Sequence, residues 1–577
     1  MAEEAEHPNP MDGQKPRSWM ETIFHGDPFE RLIVAIITSV TVLAAIVTLL
    51  QTNASARAGQ MGRDAQSYAI RAMGCRVTGQ ANMDYAWHAY QLYEELDVQA
   101  LLADRFDDLA AATRYRTLRT RIAGLSPLLA PPYYNPESST MPNVERYEAD
   151  TYLVEATALA ERYAVTSSLN NDWTAKANAY VTHLALLAVS LFLFGLAITV
   201  AGWIRWLFVG VGLLITGLTF IWILVVTLSP IRSVSEQAIQ AFAQGVGYAH
   251  QRELEQARDA FTRALQETPF YANAYYERAN VVYDLGDYES AVQDYLAAQA
   301  AGRDDVNVAW NLGWTYYLLG RFDESIATSQ HAVVLDPAQV GVRFNVAIAR
   351  LAAGEIEHAR AEYTETMEIA AQQVATALAK GGKPPASLWT YMDAAARDLE
   401  GLLDRLRDQP HPWTEAPPRD EVVNPQAVET AAQEIVKQLK SFTTALEYTG
   451  KPPTAPVTVT ISPFEFAIPT YDEEGNLIGR TIASVFPEGT DKVLALFDYA
   501  DMKDGQEVIW KLYHDGWEDP AWRLVEQWSL GEAGSAEKPF SLSYTNLYQF
   551  TPGEFKIEMY VDNQLVQQGV FIVEARK

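Results

Sequence analysis

Three long apolar runs stand out from the amphipathic pattern of the rest of the chain. They occupy residues 31–50, 181–202 and 206–228, and each is long enough for one helical crossing of a bilayer. A turn of three residues separates the second run from the third, so these two spans would form a tight hairpin. The pattern predicts an α-helical membrane anchor with three spans, the first at 31–50 and the other two within 181–228.

The stretch between the first two spans, 51–180, is rich in alanine and has the apolar spacing of helices. Its segment 126–143 contains five prolines and is predicted to be the loop of a helical hairpin. Four glycines are predicted to interrupt the outgoing helix: Gly59, Gly62, Gly74 and Gly79. With three spans, the acidic tail 1–30 lies on one side of the membrane, and the hairpin and everything after residue 229 lie on the other.

The middle of the chain contains a sequence repeat with a period of 34 residues. Glycines and small residues recur at this interval, at Gly286, Gly320 and Gly354 and at Ala257, Ala291, Ser325 and Ala359. The repeat predicts two helices per unit, in which the small residues allow close helix contact and the glycine ends the first helix. Four units align, at 238–271, 272–305, 306–339 and 340–373. One unit cannot bury its apolar face alone, so we predict an α-solenoid over 231–373.

The third unit reads AWNLGWTYYLLGRFDESIATSQHAVVLDP, and in this it resembles a tetratricopeptide repeat (TPR). The first unit departs from the pattern, because Arg252 stands where the turn glycine belongs. The resemblance implies that the first helix of each unit lines a concave groove for a protein or peptide partner. The residues at the implied groove positions are Phe242, Asn273, Tyr276, Asn280, Tyr283, Asn307, Trp310, Asn311, Trp314 and Tyr317.

The same resemblance bears on what the groove would bind. Asn280 and Asn311 match two asparagine positions at which some family members hold a peptide carboxylate. The basic positions of that clamp carry Tyr276, Gly341 and Asn345 instead, which favours an apolar or aromatic-bearing segment over a free carboxylate. The alternative is that several of the aromatic side chains pack between repeat units and offer no contact to a partner.

After the repeats the pattern changes twice. Residues 374–450 are predicted to form capping helices and a proline-rich linker. From 451 to 577, alternating apolar and polar positions with β-branched residues predict an antiparallel β-sandwich of seven or eight strands. The sequence GEFKIEMYVDNQLVQQGVFIVE resembles the last hairpin of a bacterial immunoglobulin-like domain, with Asp562 and Asn563 in the turn.

Composition and the motif content argue against several classes of function. The 577 residues carry a formal charge of −29, which argues against a nucleic-acid binder. The single cysteine, Cys75, excludes an intramolecular disulfide and a thiolate zinc site. The sequence lacks a phosphate-binding loop, a nucleophile elbow and a zinc-protease motif. We therefore predict that the chain is not an enzyme and uses no metal or cofactor.

Together these features predict a multidomain membrane protein that binds the bilayer through its spans. The layout of 1–228 resembles a bacterial membrane-protein family of unknown function, which implies a place in the bacterial cytoplasmic membrane. The immunoglobulin-like ending favours an extracytoplasmic position for the hairpin, the repeats and the β domain. The predicted function is a membrane-anchored protein-interaction scaffold. Two alternatives are a transmembrane sensor or signal transducer and a structural subunit of a homo-oligomeric envelope assembly.

Overall fold

The computed structural model describes residues 27–135, 141–453, 456–472, 477–541 and 550–575. The chain forms two compact units, divided between Tyr271 and Ala272. The first unit is helical, and the second combines helices with a β domain. Each unit is described by itself.

The helices of the first unit are α1 (Pro28–Arg105), α2 (Leu109–Ala123), α3 (Val144–Glu148), α4 (Val154–Thr199), α5 (Ile204–Leu228), α6 (Glu236–His250) and α7 (Leu254–Glu267). A single π-helical turn joins α3 to α4. Among the described residues, three helical stretches are long and apolar enough to cross a membrane: α1, the continuous stretch α3–α4, and α5. They contain the first and third runs that the sequence predicted as spans, and all of the second run except its last three residues, 200–202.

The predicted interruption of the outgoing helix by four glycines is wrong, because α1 is continuous over its 78 residues. A lone glycine costs a helix only about 1 kcal/mol relative to alanine, which packing against a second helix can offset. At Gly79 the missing side chain is required, since a Cβ there would lie 2.2 Å from the ring of Tyr152. This glycine permits close contact within the hairpin and does not break the helix.

A seam of buried residues joins α1 to the later helices of the first unit. On α1 the seam recurs every seventh residue, at Ile33, Val40, Val47 and Ala54. This spacing keeps one face of a helix against a neighbour over several turns. The facing residues include Tyr180, Leu187 and Phe194 on α4 and Val209 on α5.

The helices of the second unit are α8 (Ala272–Asp284), α9 (Tyr288–Ala300), α10 (Val306–Leu318), α11 (Phe322–Leu335), α12 (Val340–Ala352), α13 (Ile356–Ala379), α14 (Ala386–Leu406) and α15 (Pro425–Thr449). Repeats two to four are the pairs α8–α9, α10–α11 and α12–α13. Their turn glycines have left-handed backbones, with φ of +81° at Gly286, +73° at Gly320 and +79° at Gly354. In the first repeat, 238–271, Arg252 has the same left-handed backbone conformation, with φ of +59°. The turn of this degenerate repeat is therefore kept without a glycine.

Helices α14 and α15 cover the apolar face that the last repeat would otherwise expose. Leu388, Met392 and Leu399 on α14 are buried together with Ile435 and Leu439 on α15. They share one continuous core with the fourth repeat. A repeat array needs such a cover at its end.

The β domain contains two sheets. Within the described residues the strands are β1 (Thr460–Ile461), β2 (Glu465–Tyr471), β3 (Leu477–Ile482), β4 (Val485–Pro487), β5 (Val493–Ala500), β6 (Glu507–His514), β7 (Trp517–Glu518), β8 (Leu524–Gln527), β9 (Gly534–Phe540), β10 (Gly553–Val561) and β11 (Gln564–Glu574). One sheet has the order β1-β5-β2-β3, with β9 also on β5. The other has the order β4-β11-β10-β6-β7, with β8 also on β6.

Among the described strands, every pair is antiparallel except β4 with β11. The predicted antiparallel β region is thus confirmed in outline. The described residues include short strands beyond the seven or eight that the sequence predicted. Asp562 and Asn563 have φ of 48° and 66°, as a two-residue hairpin turn between β10 and β11 requires. The core between the sheets is aromatic, and Trp510, Phe540 and Phe571 are fully buried.

A buried cluster of charges joins the capping helices to the β domain. Lys440 on α15 donates to Glu400 on α14 over 2.5 Å and also to Glu558 on β10. Lys556 on β10 donates to both oxygens of Glu400, over 2.8 and 2.9 Å. Burial disfavours the charged forms, but the opposite charges dominate: the pKa of Lys440 is raised and that of Glu558 lowered. The linker predicted between repeats and β domain is therefore accompanied by a direct ionic contact.

Candidate partner-binding groove

Most of the predicted groove residues lie on the first helices of repeats two and three. Their spacing of three or four residues places them on one face of each helix. Asn273, Tyr276, Asn280 and Tyr283 on α8, and Trp310, Asn311 and Trp314 on α10, are all partly buried, and Asn307 is exposed. The structure brings these eight side chains into neighbouring positions on two adjacent helices.

Two of the predicted residues are core residues. Tyr317 on α10 is fully buried, and its ring lies against Trp314 with centroids 4.7 Å apart. Phe242 belongs to α6 in the first unit and is 4% exposed, with the ring of Tyr271 5.2 Å away. Packing within the repeats accounts for both, so the other eight residues are the candidates for a partner surface.

Hydrogen bonds fix the two asparagines that resemble a carboxylate clamp. Asn280 Oδ1 accepts from Tyr295 Oη over 2.7 Å and from Asn311 Nδ2 over 3.1 Å. Asn311 Nδ2 also donates to Tyr276 Oη over 3.2 Å. Because these bonds link α8, α9 and α10, the amides hold neighbouring repeats in register as well as lining the groove.

One basic side chain lies at the start of this face. The guanidinium of Arg303 sits 3.7 Å above the ring of Tyr276 and donates to Asn273 Oδ1 over 3.1 Å. Its Nε donates to Asp305 over 3.0 Å. Sequence reasoning missed Arg303, because it follows α9 and is not on the first helix of a repeat.

The other end of the face is in contact with the chain's own linker. Trp314 Nε1 donates to Glu415 Oε2 over 3.0 Å, and the hydroxyl of Tyr283 donates to the same carboxylate. Burial and the charge of Glu415 raise the pKa of Tyr283, so this hydroxyl remains protonated. A carboxylate on an extended, proline-rich segment thus occupies part of the predicted groove.

Further along, the linker follows the turns of repeats three and four. The Val423 N–H donates to the carbonyl of Ala352 over 2.9 Å. A Cβ at Gly354 would lie 2.9 Å from Val423, and one at Gly320 would lie 2.6 Å from Glu421. The left-handed glycines therefore make room for the linker, whereas Asn307, near the start of α10, has an exposed side chain.

Among the described residues there is no group of three or more His, Cys, Asp or Glu arranged to hold a metal ion. The face offers aromatic rings, amides and single charges, which suit recognition of another chain.

Comparisons with known proteins agree with the repeat geometry. The tetratricopeptide repeat family matches residues 242–306 and 276–340, which confirms the predicted repeats. No enzyme family was found. No curated protein matches the chain.

Several solved structures are similar to part of this chain. MamA from Desulfovibrio magneticus RS-1 is 22% identical over 23% of this chain and 75% of its own, with a TM-score of 0.22. YrrB, described as a TPR protein with an unusual peptide-binding site, is 21% identical over 27% and 84%, also with a TM-score of 0.22. The first TPR of Spaghetti (RPAP3), bound to the HSP90 peptide SRMEEVD, is 19% identical over 20% and 91%, with a TM-score of 0.20.

Proposed function

We propose that this protein is a membrane-anchored scaffold whose repeat groove binds a segment of a partner protein. One observation carries the proposal: TPR helices α8 and α10 present partly exposed aromatic and amide side chains on adjacent faces. Tetratricopeptide repeats are interaction modules, and an aromatic and amide surface suits an extended chain that supplies both apolar side chains and backbone polar groups. The proposed contact residues are Asn273, Tyr276, Asn280, Tyr283, Asn307, Trp310, Asn311 and Trp314.

The proposed anchor comprises the three spans at 31–50 and within 181–228. Three helical stretches of sufficient length and apolar character support it. We propose the bacterial cytoplasmic membrane as its location, with the hairpin 51–180, the repeats and an immunoglobulin-like β domain 451–577 together on the extracytoplasmic side. The other proposed domains are the acidic tail 1–30, the repeat array 231–373, and the capping helices with the proline-rich linker 374–450.

The anchor predicts a pattern of labelling by a membrane-impermeant maleimide. In a Cys75→Ser background, Phe106→Cys places a thiol in the hairpin and Val334→Cys places one in the repeats; the native side chains are 79% and 76% exposed. We expect both thiols to react in intact cells, because three spans leave both segments on one side. Reaction of one thiol alone would exclude a three-span anchor. Reaction of both only after lysis would reverse the proposed orientation.

If the groove binds a partner, we expect the surface substitution Asn307→Arg to prevent capture of that partner. Asn307→Arg places a long charged side chain on the exposed part of the face without removing a buried contact. The full-length protein, solubilised from its own membranes, should lose its partner with a fall in affinity of about tenfold or more. The matched control is Gln330→Arg, an exposed position on α11 of the same repeat. Equal loss with both variants, or retention with both, would contradict the groove.

A further inference from the structure

A cavity of about 200 Å³ lies between repeats three and four and helix α14. Its aromatic lining consists of Trp310, Trp314, Phe344 and Tyr391, and the ring centroids of Trp310 and Tyr391 are 5.3 Å apart. Asp398 of α14 and Glu415 of the linker also line it. The cavity therefore combines aromatic faces, which carry partial negative charge, with two carboxylates.

The lining supplies no positive charge. Neither lysine nor arginine is among the residues that line the cavity. Glu415 is held by Tyr283 and Trp314, whereas in the described part of the chain Asp398 has neither a hydrogen bond nor an ion pair. The guanidinium of Arg397, next to Asp398 in sequence, lies 3.9 Å over the ring of Trp517 in the β domain.

The surroundings of Asp398 disfavour its charged form. Burial, with a further contribution from the charge of Glu415, raises the pKa of Asp398 to about 7, and Arg397 offsets only part of this. A carboxylate whose charged form is disfavoured in this way gains from a cation placed beside it. Aromatic faces add attraction for the same kind of ligand.

We propose that this cavity binds an organic cation, and that its occupant is the arginine or lysine side chain of the partner segment. The proposal rests on the proposed function, because the cavity shares Trp310, Asn311 and Trp314 with the groove. A volume of about 200 Å³ corresponds to roughly six or seven water molecules in the liquid, which is enough for the head of such a side chain. The groove thus selects a segment with a basic residue at the position that reaches α14.

Small probes test the cavity without knowledge of the partner. Ethylguanidinium represents an arginine head, choline a free small cation, and 3,3-dimethylbutan-1-ol is the neutral isostere of choline. Ligand-observed NMR titration of the full-length protein in detergent should show saturable binding of both cations in about the low millimolar range. The neutral alcohol should bind about tenfold more weakly or not at all. Equal binding of alcohol and choline would overturn the proposal, and binding of choline but not ethylguanidinium would exclude an arginine side chain as occupant.

Substitutions locate the binding. Asp398→Asn should weaken ethylguanidinium binding about tenfold or more, since it removes the charge and keeps the shape. Asp393→Asn, five residues earlier on α14 and outside this lining, should leave it unchanged. Glu415→Gln provides a second variant on a different segment if Asp398→Asn fails to fold. Unchanged affinity in a folded Asp398→Asn or Glu415→Gln variant would overturn the site.

The affinity of the cavity for a cation should increase with pH. Asp398 is faced by Glu415 from the linker, by the hydroxyls of Tyr317 on α10 and Tyr363 on α13, and by Arg397 on its own helix. Because a cation prefers the ionised carboxylate, its affinity should rise from about pH 6 to about pH 8. Asp398→Asn should remove this rise, and a rise that persists in that variant would contradict the assignment.

The experiments distinguish an error in the cavity proposal from an error in the groove proposal. If Asn307→Arg abolishes partner capture but no cation binds, the cavity proposal alone is wrong. If cations bind through Asp398 while Asn307→Arg leaves partner capture intact, the groove proposal is wrong and the cavity binds a free cation.

Discussion

Lys440→Met is expected to destabilise the second unit by about 3–5 kcal/mol, the usual cost of removing one partner from a buried ion pair. The Lys440 side chain is 7% exposed and that of Glu558 is fully buried. Without Lys440, Glu558 keeps the hydrogen bond from the Tyr560 hydroxyl, over 2.6 Å, and a single positive charge, Lys556, whose Nζ lies 3.6 Å away. The prediction is checked by the shift of the unfolding transition of the purified full-length protein in detergent. A shift below about 1 kcal/mol would contradict the cluster as described.

Two controls separate the charge cluster from general damage to α15. Lys437→Met, at an exposed position of the same helix, should change stability by less than about 0.5 kcal/mol. Lys440→Met combined with Glu558→Leu removes a whole pair and leaves Lys556 with Glu400. The double variant should therefore be more stable than Lys440→Met alone, because no buried charge is left without a partner.

The pH dependence of the cluster follows from the two shifted groups. The lowered pKa of Glu558 means that its contribution to stability is present above the ordinary carboxyl pKa and is lost as the pH falls. The raised pKa of Lys440 means that its contribution is present below the ordinary lysine pKa and is lost as the pH rises. The effect of Lys440→Met should therefore be largest between about pH 5 and about pH 10.

Gly313→Leu is expected to destabilise the third repeat by about 3 kcal/mol or more, at the upper end of what overpacking costs. Gly313 is buried on α10, where it faces α11. A Cβ there would lie 2.4 Å from Ser329 Oγ and 3.2 Å from the backbone nitrogen of the same residue. A leucine therefore forces α10 and α11 apart, and thermal unfolding of the full-length protein should show the loss.

A smaller pair of substitutions tests the same contact. Ser329 Oγ is buried and has no hydrogen-bond partner among the described atoms, so Ser329→Ala should cost little. Gly313→Ala should be destabilising alone and less so in the Ser329→Ala background, because the nearest atom is then gone. If the costs of the two substitutions simply add, the proposed clash is wrong. Gly74→Leu is the control for Gly313→Leu and should cost much less stability, since a Cβ at exposed Gly74 meets nothing within 4 Å.

The repeats were predictable because their signals are local and periodic. Gly286, Gly320 and Gly354 recur every 34 residues, and the left-handed turns at these positions explain why glycine is used. Arg252 shows that the fold tolerates a departure at one turn. The β domain was predictable in outline for a similar reason, since alternation reports a half-buried sheet.

The contacts that shape the candidate site were not predictable, because they depend on residues distant in sequence and outside any repeat. Glu415 reaches Trp314 across 101 residues, and Lys440 reaches Glu558 across 118. In sequence, Asp398 and Lys440 look like ordinary polar positions of amphipathic helices, and Glu415 looks like part of a solvated linker. Periodicity indicates which face of a helix is buried, but it does not indicate which distant segment covers the remaining face.

Site-specific photocrosslinking tests the central claim, that the groove binds a partner, most directly. A benzoylphenylalanine is placed at Asn307 on α10, or at Gln330 on α11 as control, in the full-length protein within its own membranes. We expect a crosslinked adduct of defined mass from position 307 and none from position 330, and the 307 adduct should contain a partner segment with a basic residue. No adduct from position 307, or the same adduct from both positions, would contradict a partner-binding groove.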